Sequence, residues 1–307
     1  MPKILSYLIF IVLSCTNCLS APISDFVKPD TPPKYFAIDI DGTFHIKDES
    51  KFKKNVEAFK RLKQKNTTPF FCTGRHLQCA KKLLGEGFFT ETGYNGYPGV
   101  YLNGALVYDT NGKAFVDKFT PQFIDEFVNY VEQNNLNDKV FYYSPEGTFS
   151  LKELYKDGLQ AIENNFITTP VVLSLSDLKS KDIIGITIFK TGLGGCISMS
   201  GVHSIEYTQH DITHITSLKC DKKIGLEKLL KDLGSNETEC AYIGDDVNDV
   251  EAMEYCSMSF AVADAQEEAK NKAKWTLDLK HDECAFEKVV KLLCDDEGQQ
   301  TSSMGSV

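Results

Sequence analysis

Asp39 and Asp41 stand two residues apart, just after the apolar run Tyr35-Phe36-Ala37-Ile38 and just before Gly42 and Thr43. A short apolar, β-prone run that ends in a turn signal reads as a buried strand of a parallel sheet. Ligands of such sheets bind beyond the carboxyl ends of the strands, which is where Asp39 would lie. In an extended chain residues i and i+2 share a face, so both carboxylates would point to the same side. Gly42 lets the chain turn away where a Cβ would be awkward. Two adjacent carboxylates raise each other's pKa unless a cation lies between them, so this stretch asks for a metal.

Three later stretches carry groups that suit the same chemistry. Thr73-Gly74-Arg75 follows the apolar residues Phe70, Phe71 and Cys72, and Thr73 would turn a hydroxyl and a backbone N–H into the crevice. Lys222 stands at the start of a helical pattern, with Lys223 beside it as the alternative. Gly244 to Asp249 reads GDDVND, with Asp245 at a strand end and Asn248 and Asp249 opening a helix. Each also has a plain structural reading: a polar turn for D-x-D-G, turn chemistry for T-G-R, a solvated face for the lysines, helix capping for Asn248 and Asp249. Capping and a role in the site are compatible.

The elements that must position these groups alternate between strand and helix. After the strand at 35–38, Phe52, Val56, Phe59 and Leu62 give a helix over 51–65. A second strand spans 70–72, a helix 77–84, and a strand pair broken at Asn103-Gly104 spans 99–108. The pattern resumes with a helix at 222–233, a strand at 240–243, a helix at 250–256, a short strand at 260–263 and a helix at 286–293. Alternation of this kind predicts an α/β fold, a Rossmann-like doubly wound parallel sheet. Between the two halves the pattern changes. Thr120-Pro121 starts a helix, strands at 140–143 and 148–151 flank the turn signal Pro145-Glu146-Gly147, and 154–166 suits a helix. Residues 183–189 alternate like a strand half exposed to water, and 204–208 reads as another strand. These predict an inserted α+β cap domain over 110–209, with the core formed by 34–109 and 210–293.

The ends read differently. Residues 1–20 have the pattern of a signal peptide: Lys3, an apolar stretch from Leu5 to Leu13, and small residues before Ala21 that predict cleavage after Ser20. The apolar stretch is short for a membrane span, and no other segment is apolar enough for one, so secretion without stable membrane insertion is the expectation. Residues 21–33, with four prolines, read as a linker, and 294–307 as a disordered tail. With 33 Lys and Arg against 43 Asp and Glu, the chain has a formal charge of −10 and no basic block, which argues against a nucleic-acid partner. Eight of the 10 cysteines lie beyond the leader, but Cys72 and Cys240 sit in apolar strand-like runs where a buried thiol is expected. Asn66-Thr67-Thr68 and Asn236-Glu237-Thr238 are glycosylation sequons.

Taken in order, D-x-D-G-T, T-G-R, a lysine at a helix start and G-D-x-x-N-D resemble the haloacid dehalogenase superfamily of phosphatases. LNGALVYD around Asn103, DKKIGLEKLL around Lys222 and GDDVNDVEAM are similar to its Cof-type sugar phosphatase branch, which carries a large α/β cap between the second and third motifs. Phe44 stands where Leu is common, Ala263-Asp264-Ala265 replaces G-N-A, and Cys284 replaces a late-loop Gly.

The resemblance implies a magnesium-dependent phosphatase acting on a small phosphorylated substrate, a sugar phosphate by branch. Asp39 would be the nucleophile that forms an aspartyl-phosphate, and Asp41 the general acid and base. Mg2+ would be held by Asp39, the carbonyl of Asp41, and Asp245. Thr73, Gly74, Lys222 and Asn248 would hold the phosphoryl oxygens, with Asp249 supporting Lys222 or a metal-bound water. A phosphomutase shares the two aspartates, and a binding protein on an inactive scaffold is the reading from another class. The retention of Asp39, Asp41, Thr73, Lys222 and Asp245 argues against the latter.

Overall fold

The computed structural model describes residues 20–192, 202–207 and 212–295. The expected leader, apart from Ser20, and the expected tail beyond Asp295 lie outside these residues.

Six parallel strands form the central sheet, in the order Ala21–Pro22, Trp275–Thr276, Met258–Ala261, Cys240–Gly244, Tyr35–Ile38 and Thr68–Phe71. The middle strands are nearly all apolar because they are covered on both faces, as a parallel sheet requires. Helix Glu49–Gln64 shows why the local sequence folds as it does. Asp48 caps it by accepting the Lys51 N–H, and Val56, Ala58, Phe59 and Leu62 are buried. It packs against helix Ala285–Cys294, whose Phe286, Val289, Val290 and Leu293 supply the facing stripe. Phe44, Phe59, Phe71 and Phe88 meet mostly edge to face, with centroids 5.2 to 6.0 Å apart, directly beneath the turn that carries Asp41. An antiparallel meander, Gly99–Tyr101, Leu106–Tyr108 and Ala114–Val116, continues from the sheet through a bridge between Cys72 and Val100.

The insert has its own six-stranded sheet, ordered Val202–Tyr207, Ile212–Ser217, Gly185–Ile188, Val140–Ser144, Gly147–Ser150 and Val171–Val172. All its pairs are antiparallel except the last. One face buries Val140, Tyr142, Ile186, Ile188 and Ile215 against helix Pro121–Gln133, which Thr120 caps. Strand alternation turns Phe141, Tyr143, Thr187 and His214 to the other face, toward the core domain.

Three expectations need correction. Residues 21–33 are not a free linker: Ala21–Pro22 forms the sheet's outer strand, and Phe26 packs edge-on to Phe260 and Trp275. The insert does not return to the core at 210, since Ile212–Ser217, a polar β-branched run, is an inner strand of the insert sheet. Gly185–Ile188 is buried throughout rather than half exposed to water, because it is a central strand whose polar face looks toward the core. The helix expected at 77–84 ends there as read: the chain kinks at Gly85 (φ 75°, ψ 156°), and a second helical segment follows to Thr92. Among the described residues, no helix is long and apolar enough to cross a membrane.

Candidate active site

Three neighbouring strands, Cys240–Gly244, Tyr35–Ile38 and Thr68–Phe71, end within one residue of one another. Ile38 lies in register with Ile243 on one side and Phe71 on the other. The chain therefore leaves the sheet at Asp39, Cys72 and Gly244 side by side, and the loops that follow carry the polar groups. They line a cleft of about 650 Å³ together with Tyr143, Asn165, Ile167, Thr187, Ile212 and His214 of the insert.

Asp39 is 4% exposed. Its N–H donates to the Ile243 carbonyl at 3.0 Å, and its Oδ1 accepts from Lys222 Nζ at 2.6 Å. Lys222 begins helix Lys222–Asp232, whose N-cap Asp221 accepts the Ile224 N–H. Its ammonium is enclosed and also donates to Asp249 Oδ1 at 2.6 Å. Lys223 points elsewhere and pairs with Glu227 at the surface, because adjacent helix positions diverge by about 100°. Asp249 is fully committed. Besides Lys222 it accepts the Tyr242 hydroxyl at 2.5 Å, and its Oδ2 accepts the N–H groups of Asp245 and Asp246 at 3.0 Å.

The acidic oxygens are close. Asp39, Asp245 and Asp249 each offer one within 4.8 Å of the others. Burial pushes Asp39 well above the usual carboxylate range, against the pull of Lys222. Burial, then Asp249, pushes Asp245 up to about 7. Burial works against the charge of Lys222 too, but Asp249 and Asp39 outweigh it and hold its pKa up. Buried carboxylates that resist ionisation fit a hard divalent cation, which relieves the repulsion and takes oxygen donors alone. With Asp249 engaged, Asp39 and Asp245 are the side chains left to hold one. Thr43 Oγ1 fixes Asp245 by donating to Oδ1 at 2.8 Å. A Cβ on Gly42, whose φ is +69°, would fall 2.2 Å from Asp245 Oδ2, so both the turn and the close approach require glycine there.

Asp41 lies in the cleft but not in that cluster. The strand stops at Ile38 and a tight turn spans Ile40–Phe44, so the alternate-residue argument that put both carboxylates on one side does not extend to Asp41. Its half-exposed carboxylate is gripped by Arg75, Nε to Oδ2 and Nη2 to Oδ1, both at 2.6 Å. Arg75 Nη1 reaches across to the Asn165 carbonyl of the insert, also at 2.6 Å. One guanidinium thus ties the second aspartate to the insert.

Thr73 differs in part from its sequence reading. Its N–H does not face the crevice but donates to the Val100 carbonyl at 2.9 Å, since the chain there joins the meander. Its hydroxyl accepts the Arg75 N–H at 3.1 Å and keeps its own hydrogen for another acceptor. Gly74 lines the cleft, where an added Cβ would sit 3.2 Å from Asn103 Oδ1. Asn248 Nδ2 donates to the same Asn103 oxygen at 3.0 Å, and its buried Oδ1 has no partner among the described residues.

Sequence reasoning missed Arg75, Thr43 and Tyr242 as parts of this constellation. Arg75 was visible within T-G-R, but nothing local told which carboxylate it would meet. Tyr242 reads as one more apolar residue of a buried strand, and only the fold shows its hydroxyl against Asp249.

A family model described as haloacid dehalogenase-like hydrolase matches residues 36–288. The HMP-PP phosphatase of Escherichia coli (strain K12 / DH10B) is 23% identical over 239 residues, covering 75% of this chain and 84% of its own. A HAD/COF-like hydrolase from Plasmodium vivax superposes with a TM-score of 0.74 at 24% identity, covering 86% of this chain and 96% of its own. A phosphatase of the haloalkanoate (HAD) superfamily from Bacteroides thetaiotaomicron superposes with a TM-score of 0.69 at 17% identity, over 87% and 98% of the two chains. With the core, the insert and the strand-end acids in one arrangement, this chain belongs to the haloacid dehalogenase-like hydrolases.

Proposed function

We propose that the protein is a magnesium-dependent phosphatase of small phosphomonoesters, sugar phosphates among them. The observation that carries this reading is the placement of Asp39. It is a buried carboxylate at a strand end, bound to an enclosed lysine, beside Asp245 and at the floor of a cleft closed by a second domain. A carboxylate so held attacks phosphorus and becomes the aspartyl-phosphate. Lys222 neutralises phosphoryl charge at that point, and Asp249 with Tyr242 keeps the ammonium from swinging away. Thr73 donates its remaining hydroxyl hydrogen to a phosphoryl oxygen. Asp41 protonates the leaving oxygen, then takes the proton of the hydrolytic water. Its pairing with Arg75 suits the second of these roles, and release from Arg75 is needed for the first. Asp39 and Asp245 would hold Mg2+, which when bound supplies charge neutralisation between Asp39 and the phosphate.

Secretion is part of the proposal. Cleavage after Ser20 would leave Ala21–Pro22, the outer strand of the sheet, at the new amino terminus, and the Ala21 N–H donates to the Lys274 carbonyl. Amino-terminal sequencing of protein from its native source tests this; a retained Met1 overturns it. For the activity, purified protein is assayed against a panel of phosphomonoesters before and after exhaustive chelation. Turnover should vanish in chelator and return with magnesium. Full activity in chelator would sink the scheme.

A further inference from the structure

The insert's half of the cleft is built from different chemistry than the core's half. Thr187 and His214 are directly paired across two central strands of the insert sheet, on the face that looks to the core. Thr187 Oγ1 and His214 Nδ1 are 3.0 Å apart. His214 Nε2 is buried and has no hydrogen-bond partner among the described residues. A buried polar nitrogen left unpaired costs about 1–3 kcal/mol, so the site favours an occupant that pairs it.

The neighbouring histidine provides the contrast. His76 Nε2 donates to the Ser144 carbonyl at 3.0 Å and its Nδ1 accepts the Gln78 N–H at 3.2 Å, so its tautomer is fixed and both nitrogens are used. Burial pushes both histidines down to about 4, so each is neutral at pH 7. In His214 the tautomer is open, because the Thr187 hydroxyl can donate to Nδ1 or accept from it. Nε2 can therefore accept or donate, and a hydroxyl is the group that answers both.

Charge narrows the choice further. Arg75 is the one Lys or Arg among the described residues lining the cleft, and both of its inner edges are occupied by Asp41. The insert's described lining, Tyr143, Asn165, Ile167, Thr187, Ile212 and His214, holds no cation at neutral pH. The opposite wall carries Asp39, Asp41, Asp245 and Asp246. A second phosphate on the substrate would be desolvated there without a counter-charge.

We propose that Thr187 and His214 form a hydroxyl-reading pair, and that the cleft takes monophosphates of uncharged, hydroxyl-bearing leaving groups while rejecting esters with a second phosphate. The proposal rests on the phosphatase reading above and names the substrate class of that same site.

The test uses the full-length enzyme with three probes: a hexose 6-phosphate, the corresponding hexose 1,6-bisphosphate, and p-nitrophenyl phosphate, whose leaving group has no further hydroxyl. Thr187→Val and His214→Phe remove the polar atoms and keep volume, and Thr187→Ser keeps the hydroxyl. In the parent enzyme the bisphosphate should be hydrolysed with a kcat/KM at least about tenfold below that of the monophosphate. Thr187→Val should lower the ratio of kcat/KM for hexose phosphate over nitrophenyl phosphate by about tenfold, the worth of one neutral hydrogen bond. The loss should appear in KM, as expected for a group that holds the leaving part equally throughout the reaction. Thr187→Ser should recover most of the ratio, an outcome that a packing role does not predict. If His214→Phe fails to fold, the two Thr187 variants decide alone. Equal losses on both esters, or a bisphosphate handled as well as the monophosphate, would overturn the hydroxyl pair and leave the phosphatase intact. Failure of the parent enzyme to hydrolyse any ester would instead overturn the phosphatase reading itself.

Discussion

The two walls of the cleft follow opposite designs. On the core wall almost every charged atom is engaged: Lys222 bridges two carboxylates, Asp249 accepts from four donors and Arg75 clasps Asp41. On the insert wall the described groups are neutral and one of them, His214 Nε2, has no partner among the described residues. A site that must stabilise charge in a transition state works best when its dipoles and ions are fixed beforehand, so it tolerates few loose partners. A site that must read the rest of a substrate needs open valences instead. The difference predicts that damage to the core wall abolishes turnover of every ester, whereas damage to the insert wall changes preference among esters.

The largest effect should come from Asp39→Asn. The amide cannot attack phosphorus, so no phosphoenzyme forms on any ester, and activity should fall on the order of 10⁴-fold or more. Rapid-quench detection of phosphoenzyme checks it; a variant that still becomes labelled would move the nucleophile elsewhere. Asp41→Asn should be more selective. A sugar leaves as a poorly stabilised alkoxide and needs a proton, and such assistance is worth about 10²–10⁴-fold. Nitrophenolate needs none in the first step. First-turnover kinetics should show sugar-phosphate cleavage lost far more than nitrophenolate release, and equal losses would remove Asp41 from the acid role.

How much of this was legible in the sequence follows the same division. Asp39, Asp41, Thr73, Lys222, Asp245 and Asp249 lie at strand ends or helix starts, where apolar runs break into turns, and that break is a local signal. That the core strands run parallel was legible from their alternation with helices. Thr187 and His214 carry no such mark, since each is one polar residue within an alternating β-branched strand. Their meaning depends on which face of the sheet looks to the core, and that is set by pairing between strands far apart in the chain. The Ile212–Ser217 strand escaped notice because four of its six residues are Thr, Ser or His, and only Ile215 of them enters the insert's apolar core. The reach of Arg75 to Asn165 is a contact across 90 positions, which no spacing rule foresees.

Acid should separate the two walls in stability. His76 and His214 both pack against Tyr143, with ring centroids 5.8 Å away in both cases. Burial lowers both to about 4 in the folded protein, from an ordinary value near 6.5. A depressed histidine favours the folded state while it is neutral, so this contribution is complete above about pH 6.5 and is lost as the pH falls toward 4. At pH 4 to 5 the loss should reach a few kcal/mol at most, because each tenfold weakening of a ring's proton affinity is worth about 1.4 kcal/mol. Replacing His76 with Gln should flatten the pH dependence of the unfolding midpoint between pH 6.5 and 4. An unchanged slope would mean that other groups carry the acid sensitivity.

The smallest effect belongs to a residue two steps from the chemistry. Cys284 occupies a left-handed backbone position, φ 66° and ψ 41°, between the His281–Glu283 turn and helix Ala285–Cys294. The Ile40–Phe44 turn that carries Asp41 packs against that His281–Glu283 turn. A side chain with a Cβ is strained there by roughly 1–2 kcal/mol, which glycine avoids. Glycine in turn loses about 0.5–1 kcal/mol through the greater freedom of the unfolded chain, and also the packing of a thiol that is 5% exposed. These terms nearly cancel, so Cys284→Gly should leave the unfolding free energy within about 1 kcal/mol of the parent. Cys284→Val keeps the bulk but adds a β-branch, for which this backbone region is a genuine outlier, and should cost more than glycine does. Chemical denaturation of the three proteins gives the order, with glycine at or near the parent and valine below both. If valine proved as stable as the parent, backbone strain at Cys284 would not be the reason that glycine suits this corner, and the support of the Asp41 turn would have to come from packing alone.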